Sequence, residues 1–164
     1  MPTHAILELQ KNIHHTLTCI AHFLRVYSQI FDFETSNTQI VIHAKQKLQI
    51  CNFFWGNMQL KILGCNGGIG GINRRTTCYR INDSILIDAG TGLGDLDLDK
   101  LALIDHVVLT HAHWDHISCL PLLPDAVFSE RKKPIKVWAL PEVIKILKIN
   151  VFNDQVWPDF TKIP

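Results

Sequence analysis

The sequence contains no uninterrupted apolar stretch of about eighteen residues, the minimum for a membrane-spanning helix, so none is expected. It has no basic leading segment followed by a clean apolar run, so no secretory leader is expected either. Neither sign of charge is in excess. Sixteen Lys and Arg against fifteen Asp and Glu leave a formal net charge of +1, with nothing like the basic face that nucleic-acid binding needs. The cysteines number five, an odd count, and form neither a CxxC pair nor a finger spacing. They read as reduced thiols of a cytoplasmic protein. The glycine-rich stretches Gly64–Gly71 and Gly90–Gly94 match neither GxGxxG nor the GK[ST] of a P-loop. What the chain does have is 47% hydrophobic and 19% charged residues over 164 positions. That is enough to pack one ordinary domain, or part of a larger one.

The pattern changes near Met58. Upstream, Ile6, Leu9, Ile13, Leu17, Ile20, Leu24, Tyr27 and Phe31 recur at helical spacing and predict an amphipathic helix. His14, His15 and His22 ride on it without a matching carboxylate or thiolate and read as solvated. Gln39–Ile42 is a short candidate strand. Residues 1–57 therefore form an N-terminal extension that begins helical and shows no catalytic pattern. From Met58 onward, short β-prone runs end in glycine or proline turns. Leu60–Leu63, Thr76–Ile81, Ser84–Asp88, His106–Thr110 and Ile135–Leu140 read as strands. Leu98–Leu103 and Glu142–Ile149 read as helices, the second opened by Pro141, which a first helical turn tolerates. Strands alternating with helices predict an α/β fold.

His111-Ala112-His113-Trp114-Asp115-His116 places three imidazoles and a carboxylate directly after an apolar strand. While the chain is extended, residues two apart share a side, so His111 and His113 reach one metal together. The turn into the next helix swings Asp115 and His116 toward a second position. Nitrogen and oxygen donors of this kind suit zinc, with manganese or iron also compatible. Arg74 and Arg75 follow the first glycine loop and are either contacts for a substrate phosphate or solvated side chains. Cys65 and Cys119 flank these segments as small thiols.

This cluster resembles the HxHxDH signature of the metallo-β-lactamase superfamily. Leu63–Gly71, Arg75-Thr76-Thr77, Ile85–Asp95, Ile104-Asp105-His106 and Trp157-Pro158-Asp159-Phe160 resemble a bacterial subgroup similar to the class II cyclic-nucleotide phosphodiesterases. The resemblance runs from Met58 to Pro164. It implies a metallo-β-lactamase αββα sandwich, of which these residues look like the N-terminal half. It implies two zinc ions, one on His111 and His113 and one on Asp115 and His116, with Asp115 the candidate catalytic carboxylate. It implies that Asp88, ending an early strand, braces the metal loop. The expected reaction is attack of a metal-bound hydroxide on a small phosphodiester, with a 3′,5′-cyclic nucleotide foremost. A homodimer is compatible with the resemblance.

Two rival readings stand beside it. A ribonuclease, thioesterase or lactonase would carry the same signature. A non-catalytic remnant would retain the motif without the later ligands, because no histidine follows His116 and Asp125, Asp154 and Asp159 lie in no recognisable motif.

Overall fold

The computed structural model describes residues 41–43, 52–55, 58–71 and 74–162. The chain divides into two units, Met1–Gln39 and Ile40–Pro164, and every described residue lies in the second. The apolar stripe from Ile6 to Phe31, with His14, His15 and His22, lies outside the described residues.

One seven-stranded sheet runs through this unit, its strands in sequence order. They are β1 (Val41–His43), β2 (Asn52–Trp55), β3 (Met58–Gly64), β4 (Cys78–Ile81), β5 (Ile85–Ile87), β6 (His106–Val108) and β7 (Lys136–Trp138). The pairs from β1 to β5 are antiparallel. Then β5, β6 and β7 pair in parallel, with β6 and β7 each reached by a crossover. Strand pairing thus carries the sheet upstream of Met58, through β2.

A 3₁₀ turn (Thr91–Asp95) and helix α1 (Leu98–Ala102) fill the first crossover. Helices α2 (Trp114–Ile117) and α3 (Leu122–Ala126) fill the second, and α4 (Pro141–Asn150) follows β7. Pro141 sits in the first turn of α4, where its missing N–H costs no helical bond. No helix among the described residues is long and apolar enough to cross a membrane.

Cross-strand register explains the core. Leu86 and Val107 stand side by side on one face of the sheet. They pack there with Leu96, Ile104, Ile117, Leu123 and Leu147 from the crossovers and α4. On the opposite face, register aligns Ile62, Tyr79, Ile87 and Val108, which are also buried. Both faces of the central strands are withdrawn from water, as in a layered α/β fold. The mixed α/β class read from the sequence is the class observed.

Candidate functional site

The parallel pairing of β5 and β6 sets Ile87 beside Val108, so the residues that follow them leave the sheet at the same end. Asp88 is the first residue past β5. Its backbone N–H donates to the Val108 carbonyl at 2.8 Å. Its φ of 56° lies in the left-handed region, which aspartate tolerates better than most residues. The turn holds the carboxylate wholly buried.

That carboxylate is an acceptor for three groups. Thr110 donates its backbone N–H at 2.9 Å and its hydroxyl at 2.8 Å, and His116 donates from Nδ1 at 2.7 Å. With its proton given to Asp88, the Thr110 oxygen accepts from His111 Nδ1 at 2.9 Å. Both imidazoles are thus tied through Nδ1, so that in the neutral ring the Nε2 lone pair of each can be donated to a metal.

His113 caps α2, and its carbonyl accepts from the backbone N–H groups of His116 and Ile117. This short helix turns Asp115 and His116 back toward His111. The His111 ring lies 4.6 Å from that of His113 and 3.9 Å from that of His116, centroid to centroid. His116 is buried, His111 and Asp115 are half-buried, and His113 is exposed. Burial, and secondarily the neighbouring His116, hold the His111 imidazole below its ordinary pKa, against the opposing pull of Asp88.

The donor set has the chemistry of a divalent-metal site. Asp115 Oδ2 and His116 Nε2 stand 3.5 Å apart. Two donors on one tetrahedral zinc, each about 2.1 Å from it, stand about 3.4 Å apart. The carboxylate–imidazole pair Asp88–His116 is the arrangement that fixes a metal-ligating histidine in one tautomer. Among the described residues no group of three or more His, Cys, Asp or Glu side chains is gathered closely enough to hold an ion. Those residues therefore supply a fitting pair of donors and two neighbouring imidazoles, short of a complete coordination shell.

The glycine loops frame this cluster. A Cβ at Gly67 would sit 3.9 Å from Asp115 Oδ2. One at Gly90 would sit 2.4 Å from the Asp115 carbonyl oxygen and 2.4 Å from Thr76 Oγ1, so only glycine fits between those segments. Thr76 and Thr91 clamp the two loops together, each backbone N–H donating to the other's hydroxyl at 2.8 Å.

Arg75 Nε donates to both oxygens of Asp95, at 2.9 and 3.0 Å, so its guanidinium is committed to that carboxylate rather than held ready for a substrate phosphate alone. Arg74 is exposed. Asp154 and Asp159 shape the terminal turn: Asp159 donates its N–H to Asp154 and accepts from Thr161, while Asp125 is exposed on α3. Thr110 and Asp95 are the site residues that sequence reasoning passed over. A hydroxyl immediately ahead of the histidines was the available signal for Thr110, whereas nothing in the sequence pairs Asp95 with Arg75.

Comparison with known proteins agrees with the resemblance read in the sequence. Residues 72–129 match the model of the metallo-beta-lactamase superfamily, and residues 101–164 match that of class-II cAMP phosphodiesterases. The two matches overlap across the histidine cluster. The 3′,5′-cyclic-nucleotide phosphodiesterase 1 of Saccharomyces cerevisiae is 43% identical over 54 residues, which is 32% of this chain and 15% of that protein. The crystal structure of unliganded yeast PDE1 aligns at a TM-score of 0.49 and 23% identity, covering 65% of this chain and 47% of that one. The metallo-beta-lactamase fold protein YhfI from Bacillus subtilis aligns at a TM-score of 0.46 and 25% identity, covering 56% and 40%. The chain spans 15% of the length of the curated relative it matches.

Proposed function

We propose that residues 58–164 contribute the metal-binding part of a phosphodiester hydrolase whose substrate is a 3′,5′-cyclic nucleotide. The observation that carries this reading is the buried Asp88–His116 bond inside a segment similar to class-II phosphodiesterases. His111 and His113 would hold one metal, and Asp115 and His116 the other. Zinc suits the donors, with manganese or iron as alternatives. A divalent ion, when bound, supplies Lewis-acid stabilisation of charge on the phosphate and lowers the pKa of water.

The chain's own residues do the positioning. Asp88 fixes the His116 ring by its Nδ1 proton, Thr110 does the same for His111, and each ring presents Nε2. Asp115, half-exposed beside His116 Nε2, is the carboxylate placed to orient an attacking water. The reading puts the protein in the cytoplasm, acting on a small molecule.

The test compares initial rates on cyclic AMP, a linear model phosphodiester, a glutathione thioester and a lactone, each with and without chelator. Chelator-sensitive cleavage of both phosphodiesters, with cyclic AMP the faster, is the expected result. Fast thioester or lactone hydrolysis with both phosphodiesters untouched would overturn it and leave the superfamily alone. No turnover on any of the four would favour the non-catalytic reading.

A further inference from the structure

Lys61 on β3 and Arg80 on β4 are direct cross-strand partners, and the register continues to Leu86 and Val107. Both cations therefore lie on the face of the sheet that the crossovers cover. Partners of this kind hold their Cβ atoms about 4.5–5.5 Å apart, and like charges so placed repel. The Arg80 side chain is only 8% exposed. Its guanidinium meets Asp83 at 3.1 Å through Nη2 alone, and the Asp83 side chain is 69% exposed. Nε and Nη1 are buried and donate to no acceptor. Buried guanidinium donors are normally answered, because each one left open costs free energy.

A third cation, Lys100 on α1, stands near this pair. Burial, then Arg80 and Lys100, hold the Lys61 amine below its ordinary pKa, against the opposing pull of Asp97. The carboxylates at hand are committed, Asp97 to Lys100 and Asp83 to Arg80. Lys61 has no ion-pair partner among the described residues. The side edge of a guanidinium, Nε with Nη2, matches two oxygens of a tetrahedral oxyanion. Asp83 takes half of that edge, from the exposed turn between β4 and β5. Asp83 precedes β5 and Asp88 follows it, so this turn lies at the opposite end of the strand from the histidines.

We infer that Lys61, Arg80 and Lys100 form a binding site for a phosphate-group anion, which displaces Asp83 and takes the Nε–Nη2 edge of Arg80. The site is separate from the histidine cluster and does not depend on the phosphodiesterase reading. It is tested on the full chain under chelator, so that no metal at the histidines competes for the anion. Thermal unfolding is followed against inorganic phosphate, against glycerol 2-phosphate, and against sodium chloride at matched ionic strength. Phosphate should raise the melting temperature where chloride does not, and should slow acetylation of Lys61 but not of exposed Lys136. Lys61→Gln should weaken phosphate binding by about tenfold, the loss of one bond between charged groups. Asp83→Asn should strengthen it several-fold, because the competing carboxylate is gone. Asp125→Asn, with the same change of charge on exposed α3, should leave it unchanged. Tighter binding of the monoester would make the natural ligand a phosphorylated small molecule, and tighter binding of the free ion would make it inorganic phosphate; both uphold the site. A melting temperature that phosphate raises no more than chloride would overturn the inference. So would phosphate binding that Lys61→Gln and Asp83→Asn both leave unchanged, which would put the anion elsewhere.

Discussion

Asp88 and His116 lie 28 residues apart in sequence and meet in a 2.7 Å hydrogen bond from which solvent is excluded. The bond joins the end of β5 to α2 and fixes which nitrogen of His116 faces the site.

Asp88→Ala should therefore unfold the region more readily than most core substitutions. It strands the Thr110 N–H, the Thr110 hydroxyl and His116 Nδ1 without their buried acceptor. A loss of about 3–5 kcal/mol is expected, the usual cost of removing one partner from a buried polar pair. Urea denaturation followed by tryptophan fluorescence measures it, and a change under 1 kcal/mol would show that water replaces the carboxylate.

The isolated chain should hold zinc weakly, because the described residues gather no three-donor group. Metal content after dialysis against a mild chelator should fall below one equivalent per chain. Two retained equivalents would mean that donors outside the described residues complete both sites.

His113→Ala should abolish whatever chelator-sensitive hydrolysis the protein has, while changing stability little, since His113 is exposed at the start of α2. Rates normalised to bound metal decide the matter. Undiminished turnover would place the chemistry elsewhere.

Gly90→Ala and Gly94→Ala should part company. At Gly90 the added methyl meets three backbone or side-chain oxygens within 2.7 Å, from Asp115, Thr76 and Thr77. At Gly94 it meets nothing within 4 Å. The first should cost about 3 kcal/mol or more and the second less than about 0.5 kcal/mol. Equal melting temperatures would refute the close approach.

Thiol reactivity should follow burial. Desolvation raises the pKa of Cys78 well above its ordinary value and raises that of half-buried Cys119, and the thiolate is the reactive form. At neutral pH, alkylation mapped by mass spectrometry should reach half-buried Cys119 before wholly buried Cys78. The gap should narrow as pH rises toward the raised values.

Much of this was legible in the sequence. Alternation at Leu60–Leu63 appears as burial of Leu60 and Ile62 with Lys61 half-exposed. The apolar run from His106 became β6, and the histidines follow it as their spacing required. Other features were not legible, because they depend on segments distant in sequence. The left-handed turn at Asp88, the committed Arg75–Asp95 pair and the crowding at Gly90 arise only when the loops after β3, β5 and β6 converge. Thr110 was hidden for a related reason, since a threonine before a turn is common and only its distance to Asp88 reveals it as the hub of the network.

The parallel register of β5 and β6 also bears on how the protein must be prepared. Before those strands pair, Asp88 is not near the histidines, and His111, His113 and His116 are an ordinary solvated cluster. Closing the crossover between them is a non-local event that comes with the sheet, not ahead of it. Metal present during refolding can therefore bind unfolded chains through loose imidazoles and hold them back. Refolding under chelator, with metal added once the native fluorescence has returned, should give the higher yield of folded protein.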